Sequence, residues 1–538
     1  DPHGQTTSDF GTPITGEADK DQEYVKANVL KDDAYTFTNA TNTVTVDDGD
    51  TTTENLGYYK AVAAVVGLDK NITIRAADKS LKLNAENKTE RNSAIGIYTK
   101  KKIDAVAKDI SIDSKSSVGD VYGIYLNEGG KATITGNVSI LAKQGGDGFA
   151  DGIKLYDGGD YSGYHGGVSL TVNGNLTMKG TGSGNDAYGV FAAQKGGYGS
   201  TKTYRATGIN IYDRDGASFI LSGNVDMAVK GVGVDMRGSE KNTVTISGGT
   251  ILTPDDKEEL SYKAVAVTSG TFTMGMNDAK IGASGKDTVV QGTIYVGDKG
   301  TVNLGLGSNK SRWIGISDNQ DGRPVNLYLS DGGTWENRWT SKDQYGLFAG
   351  SRVTKVAGGS DAAHGGVIVQ KDSHPITIDN YSGHMTLIYA HDTAKPSDVN
   401  MGFSMIGGDT TIMNAAEGST ITMLTDNMGL NPLSGTASEK NLVSGTLNAL
   451  ANKLFYKGYA DKHLTGTVKI AEGLTAFSAA LKTGDISWKS TGQGEYKYTP
   501  ESGIPDHQTV TEFSTTLDGI EATDVEYTEG GVRRIVDG

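Results

Sequence analysis

Between residues 94 and 252, apolar and polar residues alternate in short runs that recur in two forms. In the first form a glycine precedes an aliphatic residue, usually beside an aromatic: Gly96-Ile-Tyr98, Gly123-Ile-Tyr125, Gly152-Ile153, Gly189-Val-Phe191, Gly208-Ile209 and Gly233-Val234. In the second the alternation passes through Gly-Asn: Ile134-Thr-Gly-Asn-Val-Ser-Ile140, Val172-Asn-Gly-Asn-Leu-Thr-Met178 and Leu221-Ser-Gly-Asn-Val-Asp-Met227, with a variant at Ile246-Ser-Gly-Gly-Thr-Ile251. A period of two places Ile, Val and Leu on one face of a strand and Thr, Ser and Asn on the other. Gly-Asn and Gly-Gly supply tight bends with positive φ. First-form glycines lie 27 residues apart from 96 to 123, 29 from 123 to 152 and 25 from 208 to 233, and the gaps widen where loops are inserted.

Short strands at this coarse period predict a solenoid, in which each coil buries its inner face only by stacking on its neighbours. The expected fold is all-β, a right-handed parallel β-helix. Helical solenoids are excluded by the period of two, and a propeller would need longer, better-matched repeats. At about 4.8 Å per coil, some 15–20 coils would form a rod of roughly 70–95 Å. The ends read differently. Residues 1–23 are polar and read as a leader, and 24–55 as a cap over the first coil, which otherwise exposes a strand edge. The division expected is thus 1–55 leader and N-terminal cap, 56–395 β-helix with inserted loops, and 396–538 C-terminal coils with a cap. Leu447, Leu450 and Leu454 at helical spacing predict a short helix within 442–455, before strands resume at Gly466-Thr-Val-Lys-Ile470.

Composition changes the picture in three ways. Gly makes up 75 of 538 residues, while Pro, at 9, is too scarce for collagen. The 65 acids against 50 bases repel phosphates, which argues against a nucleic-acid or anionic-membrane partner. Cysteine is absent, which suits a chain that crosses a membrane unfolded, where a premature disulfide would lock it. The longest apolar stretch, Ala61 to Leu68, is eight residues, far short of a membrane helix. No basic-then-apolar leader opens the sequence at Asp1-Pro-His-Gly-Gln, so a mature or excised soluble fragment is expected, with any anchor outside it.

The Gly-Asn coils resemble the passenger domain of a classical (type Va) autotransporter of a diderm bacterium. So do Ile376-Thr-Ile-Asp-Asn-Tyr-Ser-Gly-His-Met-Thr-Leu-Ile388, Leu447-Asn-Ala-Leu-Ala-Asn-Lys-Leu-Phe-Tyr456 and Ala471-Glu-Gly-Leu-Thr-Ala-Phe-Ser-Ala-Ala-Leu-Lys-Thr-Gly484. The resemblance covers most of 56–490. It implies export across the outer membrane through a C-terminal β-barrel, folding outside the cell nucleated by the last, autochaperone-like coils, and display at the cell surface. It also implies adhesion or self-association, with a host or bacterial surface protein or glycan as partner. The amphipathic strands and aromatic girdles of such a barrel are not read in this sequence.

Motifs for catalysis are sparse. Ser330-Asp-Gly-Gly333 is the nearest approach to a serine-protease motif and has Ser before Asp; no Gly-x-Ser-x-Gly occurs, and Gly285-Lys286 lacks the rest of a phosphate loop. A polysaccharide lyase or glycosidase is the alternative to an adhesin, and Asp213-Arg-Asp215 with Asp235-Met-Arg237 would supply its carboxylates. His364, His374, His384 and His391 do not match a compact metal motif and read as turn and surface histidines. Gly145-Gly-Asp-Gly-Phe-Ala-Asp-Gly-Ile153 resembles a single calcium nonapeptide turn, but Ala150 stands where Asp is expected, so a structural turn is expected instead. No metal or cofactor is expected. Trp313, Trp335 and Trp339 bracket Arg312, Arg323, Arg338 and Asp321, and a packing cluster inside the rod is expected over a sugar-stacking patch.

Two insertions carry the site expected to bind a ligand: Asp157-Gly-Gly-Asp-Tyr-Ser-Gly-Tyr-His-Gly-Gly167 and Lys195-Gly-Gly-Tyr-Gly-Ser-Thr-Lys-Thr-Tyr-Arg205. Both follow a Gly-aliphatic run, so they are expected side by side on one flank. They would present Tyr156, Asp160, Tyr161, Tyr164, Tyr198, Tyr204 and Arg205, since Tyr gives a large amphipathic contact at low entropy cost. The other reading is that these tyrosines merely pack on the rod.

Overall fold

In the computed structural model the Gly-aliphatic runs come together as one sheet. Strands Lys60–Gly67, Asn92–Thr99, Val121–Asn127, Ala150–Tyr156, Ala206–Tyr212 and Val232–Arg237 pair in parallel in that order. Their register sets Ile97, Ile124, Ile153, Ile209 and Val234 in one buried row. The structure describes residues 23–30, 32–47, 60–88, 92–157, 167–199, 202–260, 262–319, 324–342, 350–394, 402–426, 437–458, 461–472, 475–483, 487–489, 495–497, 509–511, 525–529 and 532–536.

Long strands that bend once, Ile72–Asn87, Lys102–Ser116, Lys131–Gln144 and Ser218–Ala228, again pair in parallel; Gly-Asn supplies the bend in the last two and between Ser169–Asn173 and Leu176–Met178. One Gly-aliphatic strand and the two arms of a bent strand complete a coil. The coil step is 27 residues from Ala94 to Val121, 29 from Val121 to Ala150 and 25 from Thr207 to Val232. It is 56 from Ala150 to Ala206, because both insertions fall in that coil. Neighbouring parallel strands joined in this way wind a parallel β-helix, and strand twist favours the right-handed sense.

The bends explain the Gly-Asn motif. Gly136 sits at φ +138°, and a Cβ there would lie 2.0 Å from the Ala107 carbonyl oxygen, so only glycine fits on both grounds. The asparagine that follows ties one coil to the next. The Asn175 N–H donates to Asn137 Oδ1 at 3.0 Å, and the Asn224 N–H donates to Asn175 Oδ1 at 2.9 Å. Asn137 Nδ2 reaches back to Asp109 Oδ1 at 3.4 Å. At the bend the register of the sheet shifts, between Val106 and Asp109 and between Leu221 and Asn224. Side-chain amides therefore pair backbone groups that the sheet ladder leaves out there. Inside, Ile134, Val138, Ile140, Leu170, Val172, Leu176, Met178, Phe219, Leu221, Val225 and Met227 are at most 1% exposed.

One first-form run departs from expectation. Gly189-Val-Phe191 does not join the Gly-aliphatic sheet: Val190–Ala192 pairs with Ala142–Gln144, the last arm of the bent strand below it. A Gly-aliphatic dipeptide with alternating neighbours suits any face of the coil, so only stacking decides which it joins.

Contacts divide the chain into two compact units: Asp1–Met274 with Val290–Val302 and Thr340–Gly346, and Gly275–Val289 with Asn303–Trp339 and Leu347–Gly538. The second unit repeats the plan. Strands Thr334–Asn337, Gly366–Gln370, His384–His391, Ser419–Thr425 and Leu464–Glu472 stack in parallel. Trp313 and Trp335 lie stacked in its core, ring centroids 4.6 Å apart and planes within 3°, and Trp335 Nε1 donates to the Gly315 carbonyl at 3.0 Å. Trp339 packs edge-on against His374, centroids 3.7 Å apart. His374 is thereby only 3% exposed, a correction to its reading as a surface histidine. His364 does lie at the surface, its Nδ1 2.7 Å from Asp361.

The expected C-terminal helix forms over Ala437–Ala451, with Val443, Leu447 and Leu450 buried, while Leu454 opens the next strand, Leu454–Tyr456. Leu464–Glu472 then folds back as an antiparallel hairpin with Thr475–Thr483. That reversal gives its backbone a partner within the same chain segment.

Two substitutions separate the roles of the bend residues. Asn175→Ala removes one charge-neutral hydrogen bond between coils and should lower stability by about 1 kcal/mol. Gly136→Ala forces a Cβ into a backbone carbonyl and should cost several times more, or prevent folding. Urea unfolding of the full chain checks both, and equal midpoints for the two variants would contradict the assigned roles.

Candidate ligand-recognition site

The two insertions leave different corners of the coil. Residues 157–167 follow the C-terminal end of Ala150–Tyr156, whereas 195–205 precede the N-terminal end of Ala206–Tyr212. Since Ala150 pairs with Ala206 and Tyr156 with Tyr212, six residues of strand, about 20 Å, separate the two exits. This corrects the side-by-side expectation, and its origin is the misplaced Val190–Ala192 strand. Asp160, Tyr161 and Tyr164 lie outside the described residues. Tyr156 stacks on Tyr212 with centroids 5.8 Å apart, and Tyr204 and Arg205 enter a separate cluster at the other end.

That cluster is built on a hairpin. Lys195–Gly196 pairs antiparallel with Thr203–Tyr204, and Gly199 near its tip takes φ +62°. Tyr198, at the tip, is 93% exposed. The Tyr204 ring stacks on Tyr262, centroids 6.2 Å apart and planes within 14°. Lys230 Nζ lies 4.1 Å from the Tyr204 ring centroid and Lys195 Nζ 5.4 Å from it. Lys195 also pairs with Glu259 at 2.7 Å. Arg205 caps the Phe149 ring at 4.8 Å, and Phe149 remains 46% exposed. Burial, then the nearby Glu259 charge, holds the Tyr262 hydroxyl above its ordinary range, so it stays neutral.

The result is an aromatic platform with three cations held over its rings, each such contact contributing on the order of 0.5–2 kcal/mol. Such a surface offers flat apolar area and charge-assisted donors together. Phe149, Lys195, Lys230, Glu259 and Tyr262 were not singled out in the sequence. Lys195 is 64 positions from Glu259, and no local pattern signals a pair that only coil stacking brings together.

No family model matches the chain, and no curated protein matches it. Among solved structures it is similar to the crystal structure of the autotransporter UpaB from E. coli strain CFT073, at 14% sequence identity and a TM-score of 0.40, with 90% of this chain and 92% of that chain covered. The parallel pairing of successive strands by itself makes the chain a β-helix.

The Gly-aliphatic sheet carries a second cluster. Ala61, Ala63, Val66, Ile95, Tyr98, Tyr122 and Tyr125 pack together in a buried group, with Tyr156 against it. Lys154 Nζ stands 5.2 Å from each of the Tyr122, Tyr125 and Tyr156 rings. Beside it Asp151 is 2% exposed, accepting from Asn210 Nδ2 at 3.3 Å through Oδ2 while Oδ1 has no partner. Burial raises its pKa to about 7, against the opposing pull of Lys154 and Asn210.

The carboxylates considered for glycan chemistry are otherwise engaged. Asp213 is fully buried and accepts from the backbone N–H groups of Asp215 at 2.7 Å, Gly216 at 3.0 Å and Val168 at 3.4 Å, which makes it a corner cap. Asp235 lies 3.7 Å from Arg237. The Gly145–Ile153 turn is held by its own bonds: Gly146 N–H to Gln144 Oε1 at 2.8 Å and Phe149 N–H to Asp120 Oδ1 at 2.8 Å. Among the described residues no group of three or more His, Cys, Asp or Glu is placed to hold a metal ion.

Asp151 makes stability depend on pH with a definite sign. Its folded pKa, about 7, lies above the ordinary aspartate value of 3.8, so the folded state retains a proton that the unfolded state has released. Stability is full below about pH 4 and falls as pH rises to about 7. Asp151→Asn should remove this slope and raise stability at pH 8 by on the order of 2–4 kcal/mol. Denaturant midpoints between pH 4 and 8 report it, and an unaltered slope in the variant would exclude Asp151 as the source.

Proposed function

We propose that the chain is the surface-displayed passenger of a classical autotransporter and acts as a non-enzymatic adhesin, attaching cells to host or bacterial surfaces through protein or glycan ligands. The observation that carries this reading is the hairpin at one corner of a parallel β-helix. The hairpin exposes Tyr198, Lys195 and Lys230 lie over its Tyr204, and Arg205 lies over the exposed Phe149 of the preceding coil. Rings and cations of this kind dominate recognition surfaces, because they bury large area with little entropy loss. Repetition along a solenoid adds weak contacts through multivalency, which suits attachment better than turnover. The caps and ion pairs that occupy Asp213 and Asp235 weaken the alternative of a polysaccharide-acting enzyme. Export, passage through a barrel and extracellular display follow from the resemblance of the coils to passenger domains. Among the described residues no helix is long and apolar enough to cross a membrane.

Display of the chain on an inert bacterium through an autotransporter barrel tests the proposal. Displaying cells should attach to host matrix, mucin or partner bacteria, or clump with one another, more than cells bearing the barrel alone. Tyr198→Ala combined with Arg205→Ala should reduce heterologous attachment several-fold with unchanged far-UV circular dichroism. Attachment equal to that of the bare barrel would sink the adhesin reading. Undiminished attachment by the double variant would remove the hairpin from it.

A further inference from the structure

The second unit carries a row of polar side chains that no part of the hairpin reading uses. The register aligns Asn326 with Lys355, Lys355 with Asn380 and Asn380 with Asn414, one position per coil, about 4.8 Å apart. Each amide is anchored on one side. Asn326 Nδ2 donates to Asn303 Oδ1 at 2.9 Å, Asn380 Nδ2 to the Thr354 carbonyl at 3.2 Å, and Asn414 Nδ2 to the Asp379 carbonyl at 3.1 Å. A carbonyl can only accept, so the nitrogens of Asn380 and Asn414 face the preceding coil, and their Oδ1 atoms are held in place and left to accept from a ligand.

Lys355 interrupts the amides with a donor, its Nζ 5.1 Å from the Tyr328 ring and, among the described residues, in no ion pair with a carboxylate. The nearby charges cancel: Arg352 Nη2 pairs with Asp379 at 2.9 Å. Beside the row lies a cleft of about 320 Å³ that Lys355, Asn380 and Asn414 line together with Tyr381, Ala415 and Ala416.

We infer that this cleft and the row above it bind a neutral, hydroxyl-rich chain, an oligosaccharide lying along the stack of coils. Fixed amide oxygens accept from sugar hydroxyls, and Lys355 donates to a ring or hydroxyl oxygen. Pre-orientation removes the ordering penalty that weakens most polar surfaces toward such ligands. A phosphate or sulfate chain would meet two outward amide oxygens for each ammonium, and so is disfavoured. An extended peptide would add to a free strand edge, whereas the strand that carries Asn380 is paired on both sides, with Ser351–Ala357 and with Thr410–Ala415.

The test is calorimetric titration of the purified full chain with cellohexaose, maltohexaose and chitohexaose, with a heparin hexasaccharide as acidic comparator. At least one neutral hexasaccharide should bind with Kd at or below about 1 mM, weakened roughly tenfold or more by Asn380→Ala, by Asn414→Ala and by Lys355→Ala. Ile220→Ala, an exposed position in the other unit outside both the cleft and the hairpin, should leave that affinity unchanged. No binding of any neutral hexasaccharide overturns the inference. So does binding that all three cleft variants retain, or a preference for the heparin hexasaccharide. Because the readout is saccharide binding by the purified chain, its failure is distinguishable from failure of the attachment assay.

Discussion

Every parallel coil leaves a row of backbone N–H and C=O groups that only the next coil can satisfy. That requirement governs the molecule. It forces adjacent coils into a common register, so that Ile97, Ile124, Ile153, Ile209 and Val234 stack in one buried row. It also explains the asparagines at the bends. Where the strand turns and the ladder breaks, Asn137 and Asn175 offer Oδ1 to the N–H of the coil above. Gly136 beside them admits both the bend and the close approach of the Ala107 carbonyl. Turnover of residue type at these points is constrained twice, by backbone conformation and by space.

A coil so constrained has freedom only at its corners, and the variable chemistry lies there. The coil step rises from 27 residues to 56 without disturbing the pairing of Ala150 with Ala206, because the extra residues lie between strands and not within them. The hairpin at Lys195–Gly196 and Thr203–Tyr204 draws on this freedom, yet its partners Lys230 and Tyr262 come from later coils. Solenoid geometry thus lets residues far apart in sequence build one platform, while the core remains a stack of apolar side chains.

Charge is handled unevenly across the coils. Asp213 is fully buried but satisfied by three backbone donors, and serves as a cap. Asp151 is equally deep with one oxygen unpartnered, and burial makes it an acid that titrates near neutrality. The same side chain can therefore brace a corner or burden a sheet, depending on whether backbone N–H groups converge on it.

Read alone, the sequence determined the class of fold, the bends and the C-terminal helix. Alternation of period two, Gly-Asn at three of the bends, and Leu447 and Leu450 at helical spacing are local signals, and local geometry suffices to interpret them. It could also mark 195–205 as an insertion holding exposed aromatics, as Tyr198 shows. It could not say which face Val190–Ala192 would join, because the same alternation fits every face, and that ambiguity misplaced one loop relative to the other. Nor could it pair Lys195 with Glu259, lay Lys230 over Tyr204, bury His374 beneath Trp339, or align Asn380 with Asn414. Those contacts exist only between coils, where strand register rather than sequence spacing decides which side chains meet.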